Sequence, residues 1–385
     1  VKQNILKFLT IFFFALAVYS FFAPGSYQPR HYFVPLASSI LHGRLDIAPN
    51  GDTLNELVCR SNKCFVVYPP APALAAILFV LIFGAGINQV IPSVVYAALA
   101  VAIFYFLTRE FFKQRWIQIS LTLLFGFGTN FFYTSLSGSA WYFSHIMVVL
   151  FSVLALFFAV RKKPVLAGLM LVGAFWSRLP AIFLFPALLY LVLRERKRGE
   201  RLKPFLKLLL PVVGGIVIIA LYNYYRFGSF LQSGYSLIPG VLEEVWYERG
   251  IFDLTYIPRN LEVIFASMPK FLSSFPYLNF SNFGTAMWVV TPALLLLIVT
   301  KLKDKLAIVF LMSALLIAIP SLLHGAPGFS QFGYRFSLDY IVLLIVALGF
   351  VFRRLGPKIS LPLVGLSVAI NFWAVLLFYL GRFGT

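Results

Sequence analysis

At 385 residues, 61% hydrophobic and 12% charged, with a mean hydropathy of +0.89, this chain is far more apolar than a soluble globular protein. Its net charge of +19 would suit nucleic acid. In so apolar a chain, basic residues gathered on the cytoplasmic side of a membrane account for the charge without a polyanionic partner. A soluble enzyme and a nucleic-acid-binding protein are therefore excluded.

A helix needs about 20 apolar residues to cross about 30 Å of hydrocarbon. Backbone groups find no water there, and no stretch here alternates with the period of two of a membrane barrel, so the spans must be helical. The first covers residues 5–22, behind Lys2 and Lys7. It lacks a small-residue cleavage site and predicts an anchor rather than a removed signal peptide. The first long polar interruption, residues 23–70, follows. It reads Gly25-Ser26-Tyr27-Gln28-Pro29-Arg30-His31-Tyr32, an amphipathic helix to Leu41, then His42-Gly43-Arg44-Leu45-Asp46. A hairpin holding Cys59 and Cys64 comes next, and Tyr68-Pro69-Pro70 closes the loop. The cysteines have too few neighbouring ligands for a metal. They predict a disulfide-closed hairpin with Ser61-Asn62 at its tip, in an oxidising compartment, with free thiols as the alternative.

Residues 71–87 are apolar but short, and Pro70 and Pro72 mark their start. Further apolar runs occupy 90–108, 117–134, 143–160, 165–177, 180–194, 207–225, 284–300, 306–323, 336–352 and 360–380. If 71–87 does not cross, the basic connections at 109–115, 161–163, 194–207, 301–305 and 353–358 all lie on the N-terminal side. If it crosses, they lie outside. The positive-inside rule selects the first arrangement. The expected fold is an all-α polytopic integral membrane protein forming a single membrane domain, 1–385. It has about eleven transmembrane helices plus an interfacial or re-entrant helix at 71–87. Its N-terminus is cytoplasmic and its C-terminus outside, in a prokaryotic plasma (inner) membrane. The outer face then carries the loops 23–70 and 226–283 and all four histidines, His31, His42, His145 and His324. Loops of such length usually carry function. No internal repeat suggests a transporter of duplicated halves.

The order of Tyr32, amphipathic helix, Gly43, hairpin, aromatic residue, Pro-Pro and apolar helix ending Phe83-Gly84 resembles the GT-C membrane glycosyltransferases. The likeness is closest to the protein O-mannosyltransferases, which use dolichyl-phosphate-mannose, and to the lipid A aminoarabinose transferases. It continues through the Arg178 segment and Gly333-Tyr334-Arg335, and so covers most of the chain; order and spacing carry it. The resemblance implies inverting transfer of a hexosyl or pentosyl group from a polyprenyl-phosphate donor to a lipid, glycan or protein acceptor on the outer face. Those families carry Asp-Glu before such a Tyr and a Lys before Pro-Pro. Here Gln28-Pro29 and Tyr68 stand instead. Gln cannot take a proton, so either another acid substitutes or the chain is a non-catalytic lipid- or glycan-binding or transport relative.

Such a transfer needs a base for the acceptor hydroxyl and positive charge for the leaving phosphate. Among Asp46, Asp52 and Glu56, Asp46 ranks first, with a solvated partner for Arg44 as the alternative. His31 and His145 are further base candidates because an unperturbed imidazole changes charge near neutral pH, although a lone interfacial His is usually only hydrogen-bonded. Arg178, in Phe175-Trp176-Ser177-Arg178-Leu179-Pro180, falls where the resemblance puts a phosphate-contacting cation; snorkelling to headgroups is the alternative. Arg335 is a second phosphate candidate, or a partner of Asp339 four positions on. Arg226 reads as an interface anchor. Trp141 could stack on a sugar or belong to an aromatic belt. Gln28, Tyr32, Tyr68 and His145 complete the expected substrate-binding set. Glu243, Glu244 and Glu248 read as a solvated helix face. No Walker, glycine-rich nucleotide or zinc motif appears, which agrees with a lipid-linked donor; a divalent Mg or Mn is left open. The expected partners are that donor, its acceptor and membrane lipids. Scarce mid-span ionisable residues disfavour a channel.

Overall fold

The computed structural model describes residues 2–23, 31–48, 56–60 and 62–380. Gln28 and Asp52, both weighed above, lie outside the described residues. The helices in chain order are α1 (Lys2–Phe22), α2 (Phe33–Leu41), α3 (Ala71–Phe83), α4 (Val90–Phe111), α5 (Arg115–Phe127), α6 (Phe131–Ser137), α7 (Ala140–Val160) and α8 (Pro164–Phe175). They continue as α9 (Phe185–Leu193), α10 (Leu202–Phe227), α11 (Ile257–Phe265), α12 (Met287–Val290), α13 (Lys305–Leu323), α14 (Ile341–Leu355) and α15 (Pro357–Tyr379).

Among the described residues, six helices are long and apolar enough to cross a membrane: α1, α4, α7, α13, α15 and α10 with its preceding turn. The number is seven if α5 and α6, bent by 44° at their junction, form one broken span. The other apolar runs fold in shorter pieces. Residues 180–194 become a 3₁₀ turn, Leu179–Leu184, running into α9, and 284–300 become α12 and the 3₁₀ turn Pro292–Val299. Prolines explain the breaks: Pro180, Pro186 and Pro292 each stand in a first turn, where a missing N–H costs little, so the chain restarts there.

The core forms around α4 and α7, whose apolar windows are 67% and 72% buried against 11% for α1 and 17% for α10. The outer helices turn Leu78, Leu81 and Phe83 of α3 and Leu210, Ile218 and Leu221 of α10 outward. Water would penalise such contiguous apolar faces, and lipid would not. α8 packs on α10 through Gly168, where an added Cβ would sit 2.6 Å from the Leu208 carbonyl oxygen. Small residues bring membrane helices this close.

The first loop folds on a buried amide. The side-chain oxygen of Gln89 accepts from the Phe33 and Val34 N–H groups, at 2.9 and 3.1 Å, and so caps α2 from a distance. Its Nε2 donates to the Gly138 carbonyl at 2.6 Å, fastening α2 to the α6–α7 turn. α3 packs on α2. At about 20 Å long it falls short of the hydrocarbon thickness, as an interfacial or re-entrant helix would. Beyond α2, β1 (Leu57–Arg60) and β2 (Lys63–Val66) pair antiparallel with Cys59 opposite Cys64, and the disulfide joins them. Arg60 donates to the Phe227 carbonyl at 3.1 Å and Arg226 to the Val66 carbonyl, so the hairpin holds the start of the second loop.

The second loop winds through short 3₁₀ turns before α11. Glu243, Glu244 and Glu248 do not share the helix face expected of them, because turns Val241–Glu243 and Val245–Tyr247 divide them. Phe283–Thr285 pairs in parallel with Gln331–Gly333, tying the second loop to the last connection on this side.

Replacing Gly168 by Val pushes α8 away from the α10 backbone. Unfolding in mixed micelles should show a loss of about 1–3 kcal/mol, the range for overpacked sites; unchanged stability would contradict this packing.

Candidate functional site

Both long loops converge on one cavity of about 1080 Å³. Its wall also takes in Trp141 of α7, Ile219 and Arg226 of α10, Pro320 of α13 and the turn containing Arg335. Cavities of this size hold ligands larger than a monosaccharide.

Arg178 enters from the break between α8 and the Leu179–Leu184 turn, where Pro180 forces the chain out of its helix. Its Nε donates to Asp339 Oδ1 at 2.6 Å, and its guanidinium lies 5.1 Å from the centre of the Phe336 ring. The Asp339 side chain is fully buried, and His145 Nδ1 stands 3.3 Å from the same oxygen. Arg178 is therefore held by a carboxylate while still lining the cavity.

Arg335 does not pair with Asp339. Residues 335–339 form a 3₁₀ turn, in which positions four apart lie about 120° apart around the axis instead of on one face. Arg335 Nη1 instead donates to the Phe329 carbonyl at 2.8 Å, and the guanidinium lies 4.8 Å from the Trp141 ring and 5.3 Å from Phe336. Its Nε finds no partner, and no carboxylate of the described residues is in ion-pair reach. Arg226, read as an interface anchor, is instead 2% exposed and lines the same cavity. It donates to Val66 and to Asn223 Oδ1, and lies 3.8 Å from the Tyr222 ring centre.

Of the first-loop carboxylates it is Glu56, not Asp46, that lines the cavity. Trp141 Nε1 donates to the Tyr68 hydroxyl at 2.7 Å, and that hydroxyl donates to Glu56 Oε2 at 2.9 Å. Burial, then the neighbouring Glu56 charge, push the Tyr68 phenol well above its usual range, so it remains a donor. Asp46 is bound to Arg44 at 2.5 Å, and that hydrogen bond is the main cause holding its carboxyl below the usual range.

Arg178, Arg335, Tyr68 and Trp141 are thus brought together, whereas Asp46, His31, Tyr32 and His145 do not line the cavity. Tyr32 stacks behind Tyr68 with ring centres 6.0 Å apart. His145 lies one turn beyond Trp141, behind the wall and against Asp339. Sequence reasoning missed the part played by His324, which caps α13 and lines the cavity. Its place between an apolar run and the Gly325-Ala326-Pro327-Gly328 turn was the available signal.

Among the described residues no three His, Cys, Asp or Glu side chains gather as a metal site. In comparison with known proteins, the chain matches no family model and no curated sequence. The cavity's chemistry must carry the functional argument.

Removing the Asp339 charge leaves Arg178 unpaired. Asp339→Asn should cost about 3 kcal/mol of unfolding free energy in micelles. The Arg178→Met/Asp339→Leu double variant should recover most of it, and a double variant no more stable than Asp339→Asn would contradict the pairing.

Proposed function

We propose that the chain is a GT-C-like membrane glycosyltransferase. It moves a sugar from a polyprenyl-phosphate donor to a lipid, glycan or protein acceptor at the outer face of a prokaryotic plasma membrane. The observation that carries this reading is the make-up of this cavity. Among the described residues Arg335 and Arg226 are buried without carboxylate ion-pair partners, in a cavity also lined by Arg178, Glu56, Glu244 and an apolar wall. Unpaired buried guanidiniums are costly unless an anion meets them, and a planar fork suits phosphate.

The apolar wall fits the donor's tail. Leu179, Ile182 and Phe183 line the cavity, and Leu179 and Phe183 remain 46% and 42% exposed on the outer surface. An isoprenoid chain could pass between them from the bilayer. The topology that accompanies this reading has eleven crossings, the shorter helical pieces included, with the basic connections cytoplasmic and both long loops outside.

In the reaction, the acceptor oxygen attacks the anomeric carbon on the face opposite the phosphate. The bond from that carbon to the phosphate oxygen breaks, and its electron pair leaves with polyprenyl phosphate. Arg335 and Arg178 stabilise the charge that grows there. The acceptor proton passes to the Glu56 carboxylate, which the Tyr68 hydroxyl holds in place. Glu56 would then do what Gln28 cannot. A second reading, a lipid or glycan binder without chemistry, draws on that same Gln28-Pro29.

The test uses purified protein in nanodiscs with labelled polyprenyl-phosphate hexoses and pentoses and an extract of envelope acceptors. Wild type should transfer sugar, Glu56→Gln should lose about 100-fold or more in rate with donor binding kept, and Arg335→Ala should lose donor binding. Binding without turnover in wild type would favour the second reading; no binding across the panel would sink both.

A further inference from the structure

One ring in the cavity wall is unlike the rest. The other basic groups lining it, Arg178, Arg226 and Arg335, can only donate hydrogen bonds. His324 can accept one. Its Nδ1 lies 2.9 Å from the Ala326 carbonyl oxygen. A carbonyl only accepts, so Nδ1 carries the proton and Nε2 of the neutral ring is left as an acceptor.

The ring is held firmly. Tyr235, Tyr247, Phe252 and Phe336 surround it at centre distances of 5.5–5.8 Å. Its backbone is pinned as well: Asn260 donates to the His324 carbonyl at 2.9 Å, and the Gly325 N–H donates to Ile251 at 3.0 Å. Only glycine fits at 325, where a Cβ would come within 2.3 Å of the Trp246 carbonyl oxygen. Such support resembles that of a preorganised binding group more than that of a loop residue.

Resting on the glycosyltransferase reading above, we infer that His324 is a positioning residue for the donor sugar, its Nε2 accepting a hydrogen bond from a sugar hydroxyl while the arginines hold the phosphate. The charged and titratable groups around it are Tyr235, Tyr247, Arg178, Arg259 and Arg335, with Glu244 beyond Tyr247. Burial, reinforced by these arginines, lowers the imidazole pKa to about 4, so it is neutral at physiological pH and ready to accept.

Two variants separate acceptor from packing. His324→Phe keeps a ring and loses the acceptor; His324→Gln loses the ring and keeps an acceptor. The probes are undecaprenyl phosphate and undecaprenyl-phosphate mannose, glucose and arabinose, with affinities measured in nanodiscs. Wild type should bind at least one sugar-bearing lipid about tenfold more tightly than the bare phosphate. His324→Phe should lose that preference while still binding the bare lipid, and His324→Gln should regain most of it. Equal preference in wild type and His324→Phe, or a loss that Gln does not restore, overturns the inference. If wild type binds none of the four lipids, it is the glycosyltransferase reading that fails.

Discussion

The cavity depends on one carboxylate placed out of reach of water. Asp339 is fully buried and meets Arg178 at 2.6 Å, with His145 on the same oxygen. Together the three side chains join three separate stretches: the α8 break, the beginning of α7 and the turn before α14. A buried ion pair adds little net stability, but losing one partner is expensive, so the geometry is effectively fixed. With Asp339 committed to Arg178, Arg335, four positions away in sequence, has no counter-ion among the described residues. The local positive charge in the cavity follows from that choice of partner.

Around this centre the two long loops act as one wall. Gln89 caps α2 and ties it to Gly138, while Arg60 and Arg226 link the disulfide hairpin to the start of the second loop. Each link uses a side chain from one element and backbone groups of another, so displacing one loop disturbs the other. Glu56 and Tyr68 are held against Trp141 by the same arrangement. Carboxylates, arginines and an aromatic surface thus share a cavity whose other side is apolar.

Much of the fold was legible because hydropathy sets helix positions, and the hairpin because two cysteines five positions apart can close it. The short and broken helices were less legible, since proline at 180, 186 or 292 ends one helix and starts another without altering the apolar run. Arg178, Arg335, Tyr68 and Trp141, which the structure brings to one cavity, stood out in the sequence as charge inside an apolar stretch or aromatic residues at loop ends. Asp46 ranked over Glu56 with a pairing to Arg44 as its alternative; the structure shows that pairing, and Glu56, joined to Tyr68, lines the cavity instead. The Arg335–Asp339 alternative assumed an α-helix, and the 3₁₀ geometry turned the two apart. Such partner choices are set by tertiary contacts that spacing does not encode.

The most direct test is a cryo-electron microscopy structure in nanodiscs with undecaprenyl phosphate bound. The account predicts the phosphate within hydrogen-bond distance of the Arg335 guanidinium, Arg178 still paired to Asp339, and the isoprenoid chain leaving past Leu179 and Phe183. Phosphate density on the outer faces of α3 or α10, with the arginine cavity empty, would contradict it.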